Sequence, residues 1–216
     1  VFPALTAINW LAFARVVDGT SSVTLTGVPG ASLSKLTKLS RAFKEFKGTV
    51  TIGGTFDSLA TIGDECFERA NVVLFSGVFP ALTAINNEAF DGVTGAASSV
   101  TLKGVAGESL SKLTLLDEDA FTGFKGTVTI EDTFDSLDTI GFACFKGANK
   151  VVFSGVFPAL KAINGNAFDG VTGAASSVKL TGVAGASLSK LTKLDAFTFA
   201  DFKGTVEIGG TFDSVD

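Results

Sequence analysis

Residues 78–104 read VFPALTAINNEAFDGVTGAASSVTLKG and residues 156–182 read VFPALKAINGNAFDGVTGAASSVKLTG, identical at 22 of 27 positions. The phrase VFPAL also opens the chain, so it recurs at Val1, Val78 and Val156, 77 and 78 residues apart. Self-similarity at a fixed period decides the architecture before any local reading, because a repeated unit implies a repeated environment. The sequence divides into long repeats 1–77, 78–155 and 156–216, the last incomplete, as one continuous solenoid.

Each long repeat splits into three short ones, which in the second begin at Val78, Val105 and Thr133. All share one frame: a Leu, a Leu or Ile three residues on, then a Phe, then two apolar residues flanking a third. The Leu/Ile steps include Leu36/Leu39, Leu59/Ile62, Leu82/Ile85 and Leu160/Ile163. The Phe positions are Phe13, Phe43, Phe67, Phe90, Phe121, Phe145, Phe168 and Phe199. The pairs include Val50/Ile52, Val73/Phe75, Val100/Leu102 and Val151/Phe153, and their alternation marks a short strand with one buried face. A second Phe three residues after the first, as in Phe43/Phe46 and Phe121/Phe124, fits a single helical turn packed inward. One rung cannot bury its own apolar edge, so rungs must stack. At roughly 4.8 Å per strand, eight rungs make a rod about 40 Å long.

Composition agrees with a repeated core. Apolar residues make up 46% of 216, with 21 Phe and 25 Gly but no Met, Tyr or His. The net charge of −5 is mild and Lys is scattered, which argues against a nucleic-acid partner. No apolar run reaches the roughly 20 residues that cross a bilayer, so this segment is not expected to insert in a membrane. Without His the commonest general base is missing. No nucleophile–base pair or phosphate-cradling glycine motif stands out, so the expectation is a non-enzyme with no cofactor and no metal.

Four features bear on binding. Cys66 and Cys144 share one repeat position three rungs apart, about 14 Å by strand spacing, too far for a disulfide. They read as small buried residues. Acidic groups at Asp64-Glu65, Asn87-Glu88 and Asp117-Glu118-Asp119 offer oxygen ligands for calcium. The equivalent residues elsewhere are Trp10-Leu11, Ser40-Arg41 and Gly165-Asn166, so no ligand set repeats and a solvated turn is expected. The outward strand residues form the series Thr24, Thr51, Leu74, Thr101, Thr129, Val152, Lys179 and Glu207. Leu74 and Val152 place an apolar spot on every third rung, a candidate lateral contact. The inserted loops GVTGAASS offer Thr94, Ser98, Ser99, Thr172, Ser176 and Ser177 as candidate O-glycosylation sites, whereas no Asn-x-Ser/Thr sequon exists.

The spacing L-x-x-I-x-x-x-A-F, seen in LTAINNEAF, LDTIGFACF and LKAINGNAF, resembles the BspA-like class of leucine-rich repeats across essentially the whole chain. The resemblance implies a leucine-rich-repeat solenoid with short parallel strands on one side and turns or helical turns on the other. It also implies display outside the cell or on its surface. The chain departs from the class's repeat of about 23 residues, since only the third short unit keeps that length. It starts at the first residue of a long repeat and stops at TFDSVD, which suggests an excerpt of a longer array with Phe212 on a bare rung. The leading expectation is a structural protein: an extracellular fibre, stalk or wall component that self-associates or continues in the same array. The alternative is a surface adhesin that binds an extracellular protein or a glycan.

Overall fold

The computed structural model describes residues 2–183 and 185–211, so Phe212 lies outside the described residues. The first half of the chain holds β1 (Ala7–Asn9), β2 (Ser22–Gly27), β3 (Lys38–Ser40), β4 (Thr49–Gly54), β5 (Thr61–Ile62), β6 (Val72–Phe75), β7 (Ala84–Ile85) and β8 (Ser99–Gly104). The second half holds β9 (Leu115–Leu116), β10 (Thr127–Asp132), β11 (Thr139–Ile140), β12 (Lys150–Phe153), β13 (Ala162–Ile163), β14 (Ser176–Gly182), β15 (Lys193–Leu194) and β16 (Gly204–Gly210). Odd strands form one parallel eight-stranded sheet and even strands another, each in sequence order, so the chain is a parallel β-solenoid.

The even strands are the expected V-x-L pairs. The odd strands are the Leu/Ile steps, whose second residue faces inward while the residue before it lies half-buried or outside (Ile62, Ile85, Leu116). Threonines preceding these strands tie successive rungs together: the hydroxyls of Thr37, Thr83 and Thr114 donate to the carbonyls of Thr6, Ala60 and Thr83 at 2.9–3.0 Å.

The expected helical turns are absent, and no helix occurs among the described residues. Around each core Phe the chain takes left-handed φ twice, four residues apart, as at Arg41 (51°) and Glu45 (58°), or Glu65 (51°) and Arg69 (53°). Such residues cannot propagate a right-handed helix. Their N–H groups bond the next rung instead: Arg41, Phe43 and Glu45 donate to the carbonyls of Asp64, Cys66 and Glu68. Glu65, Phe67 and Arg69 repeat this onto Asn87, Ala89 and Asp91. The turn face is therefore a third rung-to-rung ladder in which these bonds all run the same way along the axis.

Inside, the eight core phenylalanines stack in one column. Centroids from Phe13 through Phe43, Phe67, Phe90, Phe121, Phe145 and Phe168 to Phe199 lie 4.8–5.4 Å apart, with planes within 16° of parallel. Phe46 and Phe124 meet this column edge-on, at 6.2 Å from Phe43 and 6.3 Å from Phe121. The third short repeats have Ala70 and Ala148 at that position. There the strand residues Phe75 and Phe153 supply the edge contact, at 5.6 Å from Phe90 and 5.7 Å from Phe168. A small residue at one site is matched by a large one at the other, which keeps the core filled.

The even sheet does not keep one register. β4 faces β6 with Val50 opposite Val73 and Ile52 opposite Phe75, in step with the repeat frame. Between β6 and β8, Phe75 faces Val100 and Leu74 faces Ser99, a slip of two residues. The slip recurs between β12 and β14, where Phe153 faces Val178 and Val152 faces Ser177. A slip of two preserves which side chains face inward. Both slips follow the GVTGAASS insertions, whose length they absorb.

Candidate functional site

The slip places two of the candidate glycosylation residues in the core wall. Ser98 and Ser176 are each 2% exposed. Their Oγ atoms accept from the N–H groups of Val73 and Val151 at 3.1 Å, and Ser98 Oγ also donates to Asn71 O at 3.3 Å. These hydroxyls serve the backbone at the register step and are closed to a sugar-transferring enzyme. Thr94 and Thr172 are exposed, and Ser99 and Ser177 are half-buried. Ser98→Ala leaves a buried N–H on Val73 without a partner and is expected to cost about 1–3 kcal/mol. Ser99→Ala, one residue away on the outer face, is expected to stay within about 0.5 kcal/mol. Urea unfolding of both variants checks this.

Leu74 and Val152 do face away from the core, but both are half-buried. Their neighbours differ from a row drawn on the repeat frame: Leu74 lies between Thr51 and Ser99, and Val152 between Thr129 and Ser177. The expected row through Thr101 and Lys179 is thus broken at each slip.

Charge concentrates on the turn face. In the column just before Ala/Cys-Phe, Arg41, Glu65, Glu88 and Asp119 follow on consecutive rungs; just after the Phe come Lys44, Glu68, Asp91 and Thr122. Carboxyl oxygens of Glu65, Glu68 and Glu88 lie within 4.8 Å of one another, spacing that suits a cation. Lys44 already supplies one. Its Nζ lies 2.5 Å from Glu65 Oε2 and 2.5 Å from Glu68 Oε2, the latter off the line of a hydrogen bond. Arg41 adds a 2.7 Å contact to Glu65, and Arg69 one of 3.4 Å to Glu68. The Lys44 hydrogen bond holds the Glu65 carboxyl below its ordinary value, and the same bond, with Glu68, raises Lys44.

At Asp91 the charge of Arg69 offsets only part of the opposing effects. Partial burial, then the charges of Glu88, Glu68 and Asp119, push its carboxyl up from 3.8 to about 6. Burial first, and then Glu68 and Glu65, also raise Glu88. At the equivalent position one long repeat on, Asp169 has Lys146 Nζ at 3.5 Å. Asp91 therefore binds a proton more tightly folded than unfolded, and its effect on stability is lost as pH rises from about 4 through about 6. Two pH units would correspond to nearly 3 kcal/mol, which solvent screening of a half-exposed group reduces to about 1. Asp91→Asn is expected to raise the Tm by roughly 2–4 °C at pH 7 and to leave it unchanged near pH 4. Thermal unfolding at the two pH values separates this from a general effect.

Cys66 and Cys144 are fully buried and free. Burial pushes both thiols up, in Cys144 reinforced by Asp117 and Asp119. That suppresses the thiolate, the reactive form. Two roles had no signal in the sequence: the serine acceptors at the register step, and Lys44 as the counter-ion of two glutamates one rung away. Each depends on which rung faces which, and the composition of the loop alone does not reveal it.

No described helix is long and apolar enough to cross a membrane. No protein-family model, curated protein or solved structure matches this chain.

Proposed function

We propose that the chain is a structural repeat protein, an elongated extracellular fibre, stalk or wall component built from stacked, self-associating rungs. The supporting observation is that one three-rung unit reuses the same side-chain-to-backbone bonds at its loops. Ser98 and Ser176 do the same work, Ser109 and Ser187 both accept from a Phe N–H on the preceding rung (Phe79 and Phe157), and Asp57 and Asp135 both accept from loop glycines at 2.7 Å. A specific ligand site calls for rungs that differ, whereas a mechanical unit calls for rungs that agree. Near-identity of 22 in 27 positions maintains the second condition. Without enzyme activity or a cofactor, such an array works through length and lateral contact.

The second reading is a cell-surface adhesin of the BspA-like leucine-rich-repeat class, binding a protein or glycan. The sequence resemblance favours it, as do the exposed loop residues Thr94 and Thr172, which also remain the best candidates for O-linked sugar. Electron microscopy of the protein isolated from its native source tests the choice. Long filaments are the expected result. Short, discrete rods tethered to a cell surface would contradict the fibre and favour the adhesin.

A further inference from the structure

Among the described residues from Val28 to Val183, the exposed large apolar residues other than Phe142 all occupy one repeat position. Val28, Val78, Val105, Val156 and Val183 open their short repeats and are 41–50% exposed. They stand where the even sheet ends and the chain turns back toward the core. Thr55 and Thr133 hold this position on the intervening rungs, joined to Val78 and Val156 by single parallel bridges. The edge therefore carries two valines and one threonine per three rungs, as in Val78, Val105 and Thr133, with exposed loops of small residues beside it (Pro29–Ala31, Ala106–Gly107).

The register slip gives this edge a second feature. Where one block meets the next, Val156 and Val183 line a shallow groove with Gly155, Lys179, Thr181 and Ser187. The valines recur at a three-rung interval, and the groove lies among them at the junction of the second and third blocks. The nearby charges cancel within the chain, Lys103 with Glu131 at 2.8 Å and Lys179 with Glu207 at 3.5 Å.

We propose that this valine edge is the surface on which a second copy of the chain packs side by side; the inference rests on the structural reading above and names its lateral contact. Two observations commit the edge to that occupant. The first is commensurability: the core rings fix the rung rise at about 5 Å. A row of valines with that rise and three-rung period is matched along its length by the same row on another copy. The second is area. Five half-exposed valines present roughly 300 Å², the scale at which an apolar patch marks an interaction site. Two such edges with their Pro/Ala loops approach the roughly 1,000 Å² that a specific interface needs.

Sedimentation velocity of the chain from about 1 to about 100 μM reads the association directly. The wild type is expected to dimerise in this range, and Val105→Asp with Val156→Asp to weaken dimerisation at least about tenfold. Both sites are exposed, so the Tm of the double variant should match wild type. Leu74→Thr with Val152→Thr, on the sheet face, should leave the dimer intact. A dimer that survives the valine-edge changes but is lost with the sheet-face pair would overturn this contact while keeping lateral self-association. A wild type that stays monomeric throughout would overturn the valine-edge contact, whatever else binds there. The filament reading would then stand or fall on microscopy alone.

Discussion

Phe90→Ala is expected to destabilise the protein by about 3–5 kcal/mol and to divide its unfolding into two transitions. Phe90 is fully buried in the middle of the aromatic column. It stacks on Phe67 at 4.8 Å and Phe121 at 5.0 Å, and takes edge contacts from Phe75 at 5.6 Å and Phe124 at 6.5 Å. Truncation removes the transfer energy of a large ring and leaves a cavity that two flanking β-ladders cannot close. In a solenoid each rung touches only its neighbours, so one weak interface uncouples the segments on either side. Urea unfolding followed by circular dichroism reads both effects. Phe142→Ala is the control: Phe142 is 46% exposed on the turn face, and its loss should cost within about 0.5 kcal/mol.

Gly126→Ala is the second large effect, and its cause lies in the backbone. A Cβ built on Gly126 would sit 2.0 Å from Ser98 O and 2.6 Å from Ser98 C. Ser98 cannot retreat, because its carbonyl accepts from Thr127 N and its hydroxyl holds the Val73 N–H at the register step. The expected cost is about 3 kcal/mol or more, at the upper end for an overpacked site. Gly53→Ala is the matched control, since the nearest atom to its added methyl is 3.9 Å away. Equal losses at the two glycines would show that the close approach of rungs at Ser98 is not what the substitution disturbs.

The solenoid itself was legible because its signal is long-range: VFPAL at Val1, Val78 and Val156, and a Phe on every rung. The strand pairs were legible because period-2 alternation survives in three residues, as in Val50-Thr51-Ile52. The second sheet was not, because a strand as short as Thr61–Ile62 has one inward residue and therefore no alternation to detect. The helical turn after Phe43 was expected from the i, i+3 spacing to Phe46, which a tight non-helical turn satisfies equally well. Left-handed conformations usually announce themselves through glycine, yet here Arg41, Glu65, Glu88 and Asp119 adopt them, held by N–H bonds to the next rung. Nothing local in those residues could signal it.

The candidate surfaces divide along the same line. That Leu74 and Val152 point outward followed from alternation, but their neighbours depended on a slip that only the stacked rungs reveal. Ser98 and Ser176 looked like flexible hydroxyls because GVTGAASS is a loop composition, although the last part of the loop tucks beneath Asn71 and Asn149. The valine edge was visible as letters at the start of two short repeats in every three. Its exposure was not, since a Val placed just after a strand, and at Val78 and Val156 just before a buried Phe, reads as core.

X-ray diffraction from aligned assemblies of the protein tests the central claim, a laterally associating parallel stack with a three-rung period, most directly. Meridional reflections are predicted at roughly 4.8 Å for the rung rise and at roughly 14 Å for the three-rung repeat. A rung reflection without the longer one would contradict the three-rung unit as the element of assembly. Material that gives no axial order at all would contradict the fibre itself.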